Sequence, residues 1–158
     1  MARVSPPPPF EAFLEANRAT VYRFLRVAVG PADADDVFQE TFLAALRAWP
    51  RVRDDGRLDR WALTIASRKA IDHHRRGARR PTPTPDPPDR AAAVAPTDPD
   101  EELWAAVRSL PPKQRAALVH RFVLDRPYGE IAQILGCSEE AARASVSEAI
   151  RKLRRNMT

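Results

Sequence analysis

The chain has 158 residues, a net charge of +5 and a single cysteine, Cys137. That length admits one ordinary domain or two small ones, and the lone cysteine excludes both an intramolecular disulfide and a multi-thiolate metal site. No run approaches the ~18 apolar residues of a membrane span and Met1 to Pro9 lacks an apolar signal core, so a cytoplasmic protein is expected.

The prolines Pro6 to Pro9 stop any helix from extending toward the N-terminus. Beyond them Phe10, Phe13, Leu14, Asn17, Val21, Phe24, Leu25 and Ala28 recur at helical spacing. Gly30 and Pro31 end this first helix and begin a second, in which Phe38, Phe42, Ala45 and Trp49 line one face and are expected to be core. The opposite surface falls to Asp36, Gln39, Glu40 and Leu43. Asp33, Asp35 and Asp36 lie in the first turn, where carboxylates favour the positive end of the helix dipole and cap free N–H groups. Capping alone accounts for those acids.

A third helix is predicted over about Leu58 to Arg76, with Leu58, Trp61, Ala62, Ile65 and Ala66 as its buried stripe. Arg60, Thr64, Ser67, Arg68, Ile71 and Arg75 fall on the far face. Charge is segregated: residues 57–80 hold eight Arg or Lys against Asp59 and Asp72, whereas residues 1–56 sum to about −1. Local clustering within a Debye length, ~8 to 10 Å, sets the field at a surface, so this helix points to a polyanion. A merely solvated charged face is the alternative, and the scarcity of acids argues against it. Nucleic acid is the leading partner class and an anionic membrane surface the second. His73 and His74 point about 100° apart on a helix, which is poor geometry for one metal.

From Pro81 to Asp100 the chain carries seven prolines and a net charge of −3. Proline removes donors and blocks helix in the residue before it, so an extended, mobile tether is expected, reaching roughly 60 Å at ~3.1 Å per residue. Four helices follow, Asp100 to Leu110, Pro112 to Leu124, Pro127 to Leu135 and Ser138 to Arg155. Pro112 and Pro127 suit first-turn positions, Ser138 is a good N-cap, and Gly136 can supply the left-handed residue of a tight turn. A short helix, a Gly turn and a longer helix form a helix-turn-helix pattern; a plain helical hairpin also fits. Ile131, Ile134, Leu135, Ala142, Val146, Ala149, Ile150 and Leu153 would pack it. Cys137 is expected to be a small buried apolar residue, with a redox sensor as the alternative. The fold class is therefore all-α, with two small helical domains at 10–80 and 101–156 joined by a flexible Pro-rich linker at 81–100. No carboxylate or His cluster has catalytic or metal spacing, so no enzyme, cofactor or metal is expected.

These residues resemble the extracytoplasmic-function sigma factors of bacterial RNA polymerase. The stretch Asp33 to Leu43 looks like the family's core-polymerase-binding helix. Trp61 to Ala66, with Ile71 to His73 and Arg75-Arg76, looks like its −10 promoter helix. Leu110 to Arg115, Glu130 to Ala132, Leu135-Gly136 and Arg151 to Leu153 look like its −35 domain. The resemblance implies that Asp33, Asp36, Gln39, Glu40 and Leu43 dock on core polymerase. It further implies that the loop Pro50 to Asp59 holds a base flipped from the melted strand. Arg53, Arg57, Arg60, Thr64, Arg68, Arg75 and Arg76 would then follow the −10 element, and Ser138, Arg143, Ser145, Ser147 and Arg151 the −35 element. It implies core RNA polymerase and promoter DNA as partners, an anti-sigma factor as a further candidate, and neither membrane insertion nor a small-molecule substrate.

Two departures from the family pattern stand out. Ser67 and Arg68 replace the usual Arg-Asn, so base preference there does not carry over. Residues 138–150 contain one cation, Arg143, against Glu139, Glu140 and Glu148. The expected function is that of a sigma factor; the alternative is a sigma-like adaptor with weak or no −35 recognition.

Overall fold

Helical recurrences of apolar residues, punctuated by proline and glycine, produce an all-α chain. The computed structural model describes residues 3–79 and 99–158. Its helices are α1 (Phe10–Ala28), α2 (Pro31–Ala48), α3 (Leu58–Arg79), α4 (Pro99–Arg108), α5 (Pro112–Phe122), α6 (Tyr128–Leu135) and α7 (Glu139–Asn156), with a 3-10 turn at Trp49–Arg51. Pro99, expected in the tether, instead opens α4 one residue before the expected start at Asp100, because proline is tolerated in a first helical turn and carboxylates favour it. The rest of the expected tether lies outside the described residues. No described helix is long and apolar enough to cross a membrane.

In the first module α1 buries Phe13, Val21, Phe24, Leu25 and Ala28. Phe13 is the hub of an aromatic cluster, with ring centroids 4.8 Å from Trp49, 5.5 Å from Trp61 and 6.0 Å from Phe42. The core stripe of α2 is rotated from the expected one: Ala34, Val37, Thr41, Phe42 and Ala45 are buried, while Phe38 and Trp49 are half-buried at its edge. Small residues at 34, 41 and 45 let the helices approach closely, and the Thr41 hydroxyl is satisfied by donating to the Val37 carbonyl at 2.7 Å.

In the second module Val107, Leu110, Val119, Ile131, Ile134, Val146 and their alanine neighbours fill the core. Gly136, at φ 68°, ends α6 in the left-handed conformation, and the Ser138 hydroxyl caps α7 by accepting from the Ala141 N–H at 3.0 Å. Cys137 sits in this turn and is exposed, contrary to the burial expected of a free cysteine, because the turn carries its side chain away from the α6–α7 contact.

The two modules share one continuous core. Helix α1 packs on α4 and α5, and α3 packs on α5 and α6. At the α1–α2 corner, Gly30 has φ 91°, and a Cβ there would lie 3.3 Å from Arg108 Cδ of α4. Both the turn and the close approach of α4 therefore favour glycine.

Candidate nucleic-acid interface

The outer face of α2 presents Asp36, Gln39 and Leu43, all exposed, with Asp33 and Glu40 half-buried beside them. Leu46, which the sequence reading passed over, extends this face, so that two large apolar side chains, Leu43 and Leu46, are exposed together. Asp33 and Glu40 are engaged by α3: His73 Nε2 lies 3.2 Å from Asp33 Oδ2, and Arg76 donates to Glu40 Oε2 at 3.1 Å. The acids expected to dock on polymerase and the basic end of α3 thus form one continuous surface.

Around the corner, the loop after α2 and the start of α3 enclose a cleft of about 410 Å³ lined by Arg51, Arg53, Arg57, Arg60, Trp61 and Thr64, among others. This volume lies within the ~300 to 1,000 Å³ typical of small-molecule clefts. Four guanidinium groups around an indole ring suit a phosphate chain with an unstacked base. Arg53, Arg57, Arg60 and Thr64 were expected at such a site; Arg51 and Trp61 were not assigned to it. For Arg51 the available signal was its place in the loop Pro50 to Asp59, two positions before Arg53. Further along α3, Arg68, Arg75 and Arg76 are exposed.

Ser67, expected on the same outer face, is buried. Its hydroxyl is hydrogen-bonded to His120 Nε2 of α5 at 2.8 Å, and the His120 ring lies flat on Phe24 with centroids 4.5 Å apart. Arg115, also buried, donates to the carbonyls of Ala28 at 2.7 Å and Leu110 at 2.8 Å, tying α5 to the end of α1. Burial, reinforced by Arg115 and His73, lowers the His74 pKa, and neutral His74 accepts at Nδ1 from Arg115 at 3.3 Å. Across the α3–α6 seam Arg126 donates to Asp59 at 2.7 Å and to Glu130 at 3.2 Å, while Arg60 donates to Gln133 Oε1 at 2.7 Å and pairs with Glu130 at 3.3 Å. Burial by itself would raise the Asp59 carboxyl; the Arg126 hydrogen bond and the Arg126 and Arg60 charges outweigh it and hold the pKa below its usual value. Gln133 also forms part of the cleft wall. The second module therefore lies over the start of the surface expected to follow DNA.

On α7 the expected contact residues lie mostly at the surface, several of them bonded within the helix. Ser138 serves as the N-cap, Ser145 is half-buried, and Ser147 is exposed. Arg143 donates to Glu139 at 2.9 Å and lies 4.5 Å from the centroid of Tyr128; Arg151 donates to Glu148 at 2.6 Å. Elsewhere on this module Leu103, Trp104, Val107, Leu118, Phe122 and Ile150 help line an apolar groove, with Phe122 exposed, the kind of patch that marks a protein contact. Among the described residues no group of three or more His, Cys, Asp or Glu could hold a metal ion.

The family model for Sigma-70 region 2 matches residues 13–80, and that for Sigma-70 region 4 matches residues 100–153. The ECF RNA polymerase sigma factor SigD of Mycobacterium tuberculosis is 34% identical over 155 residues, covering 89% of this chain and 73% of that one. This chain belongs to the ECF sigma factors. The sigma factor is likewise 32% identical to the RNA polymerase sigma factor CarQ of Myxococcus xanthus over 157 residues, covering 92% of this chain and 87% of CarQ. Among solved structures, the sigma factor RpoE of Bartonella quintana, in complex with the anti-sigma factor NepR, has the same fold. Its TM-score is 0.71 at 20% identity, covering 92% of this chain and 94% of that chain. In these terms region 2 of the sigma factor supplies the α2 face and the arginine cleft, and region 4 supplies the helix-turn-helix.

Proposed function

We propose that this sigma factor, a specificity subunit rather than an enzyme, takes core RNA polymerase to promoters by docking through α2 and reads DNA mainly through region 2. One contrast carries this reading. Region 2 gathers Arg51, Arg53, Arg57 and Arg60 around one cleft and leaves Arg68 and Arg75 exposed, whereas residues 138–150, which open α7, carry one cation, Arg143, against Glu139, Glu140 and Glu148. Each good base contact by arginine is worth ~1 to 3 kcal/mol of discrimination, so the helix with fewer available arginines discriminates less.

In this assignment Asp36, Gln39 and Leu43, flanked by Asp33 and Glu40, meet a basic surface of core polymerase. A base flipped from the melted strand enters the cleft beside Trp61, Arg53 and Arg57 contact its backbone, and Arg68, Arg75 and Arg76 continue along the −10 element. Arg60 and Thr64 join only when α6 leaves α3, because Glu130 and Gln133 occupy Arg60 in the closed packing. An anti-sigma factor that clasps regions 2 and 4 in this arrangement would keep the sigma factor off its promoters. The residues between α3, which ends at Arg79, and α4, which starts at Pro99, are numerous enough for region 4 to swing clear.

Transcription in vitro with core polymerase, on a promoter pool randomised separately at the −10 and −35 segments, tests the assignment. Selected promoters should carry most of their sequence preference at −10. A −35 preference of equal strength would overturn it.

A further inference from the structure

The segment before α1 has no part in the reading above, and it is not loose. Ser5 pairs antiparallel with Asp54: the Ser5 N–H donates to the Asp54 carbonyl at 2.9 Å and the Asp54 N–H donates to the Ser5 carbonyl at 2.8 Å. Between Ser5 and α1 stand Pro6 to Pro9, which have no N–H donors and fixed φ, and so make a short stiff spacer. The spacer runs directly into Phe10, whose ring meets Trp49 edge-on at 5.4 Å. The segment is therefore pinned at both ends to the stretch Trp49–Arg57 that carries the arginines of the cleft.

Asp54 is the centre of this attachment. Its backbone is held on both sides by Ser5, and its carboxylate accepts from the Gly56 N–H at 2.9 Å; the next carboxylate, Asp55, accepts from the Arg57 N–H at 3.0 Å. Arg53 and Arg57 bracket these bonds. An exposed loop with little apolar burial of its own would otherwise sample many conformations. Fixing the Asp54 backbone restricts the directions in which Arg53 and Arg57 leave the chain, and that is a condition for a site that must distinguish one unstacked base from another.

We propose that residues 3–9 are a strap that presets the arginine loop, and that Ser5 is a positioning residue for the single-stranded nucleotide held in the cleft. This inference rests on the assignment of the cleft to the −10 strand. It assigns the work to the Ser5 backbone, so the hydroxyl is dispensable.

Three proteins test it, each assembled with core polymerase: Ser5→Pro, which removes the N–H donated to Asp54; Ser5→Ala, which keeps it; and a truncation lacking residues 1–7. The probe is the non-template −10 oligonucleotide that wild-type holoenzyme selects from a randomised single-stranded pool, compared by fluorescence anisotropy with a copy substituted at the selected base. Ser5→Pro and the truncation should bind the selected strand roughly five- to tenfold more weakly, the scale of one net backbone hydrogen bond, and lose most of the preference over the substituted strand. Ser5→Ala should match wild type, and core binding should be the same in all three. Undiminished preference in both Ser5→Pro and the truncation would overturn the strap, as would an equal loss for the two strands, which would reduce it to general support of the loop. If wild-type holoenzyme selects no −10 strand, the cleft assignment falls and the strap with it. A selective wild type beside indifferent variants removes the strap alone.

Discussion

His120 stands where α1, α3 and α5 meet, fully buried, stacked on Phe24 and bonded to Ser67. Burial pushes its pKa down to about 3, and the positive charge of Arg126 adds to the effect. The ordinary value is ~6.5, so the packing has its full stability above that pH and loses about 1.4 kcal/mol for each unit the pH falls below it, until the folded value is reached. His74, also lowered, acts in the same direction. Asp59 acts elsewhere: a carboxyl held below its usual 3.8 contributes stability above that pH and loses it only at lower values. His120→Phe preserves the stacking and removes the titration. Denaturant unfolding at pH 7.5 and pH 5.5 should show wild type losing about 1.4 kcal/mol more than the variant over that interval. Equal losses would mean that His120 is not buried as the structure places it.

Helix α2 buries one face and exposes the other, and the docking role proposed for the exposed face is testable. Asp36→Ala with Gln39→Ala removes exposed side chains from outside the core stripe, so core polymerase binding should weaken severalfold, as expected for rim contacts worth ~1 kcal/mol, while helical circular dichroism stays unchanged. Undiminished binding in a pull-down would move the docking surface elsewhere. On α7, Ser138→Ala should cost about 1 kcal/mol of stability through the lost N-cap, measurable as a lower midpoint in denaturant, whatever it does to DNA. The helices themselves were legible in the sequence because their apolar residues recur every three or four positions between prolines and glycines; α1 begins and ends where that recurrence does. The core face of α2 was less so, since large aromatics outweigh Ala34, Val37 and Thr41 in any periodic count. Ser67 was misplaced for a deeper reason. Periodicity records only a residue's own helix, and the partner that buries Ser67 is 53 residues away. His120 did leave a trace, as one polar side chain after Ala116, Ala117, Leu118 and Val119, but nothing local says what it meets.

Taken whole, the sigma factor is a closed molecule whose second module covers part of the first. The long tether expected from the sequence lies outside the described residues; the shared core of α1, α3, α5 and α6 describes how the two modules pack. A compact chain of 158 residues has a radius of gyration of about 15 Å, and small-angle scattering of the free protein should approach that value. Addition of core polymerase should then separate fluorescent labels placed on α3 and α6. A free protein already far more extended would contradict the closed packing. The central claim, that promoter reading rests on region 2, is tested most directly by permanganate footprinting of the melted segment at fixed salt. Holoenzymes carrying Arg68→Glu with Arg75→Glu, or Arg143→Ala, are compared on a selected promoter with its −35 segment intact or scrambled. Arg68 and Arg75 are exposed cations on the surface proposed to follow a strand, so their reversal should abolish most reactivity and lower the salt dependence of binding by a slope of roughly 1.4, two single-strand phosphate contacts at ~0.7 each. Arg143→Ala and the scrambled −35 segment should leave most of the reactivity in place. Loss of melting in either of those two as complete as in the double reversal would make region 4 the principal reader and contradict the account.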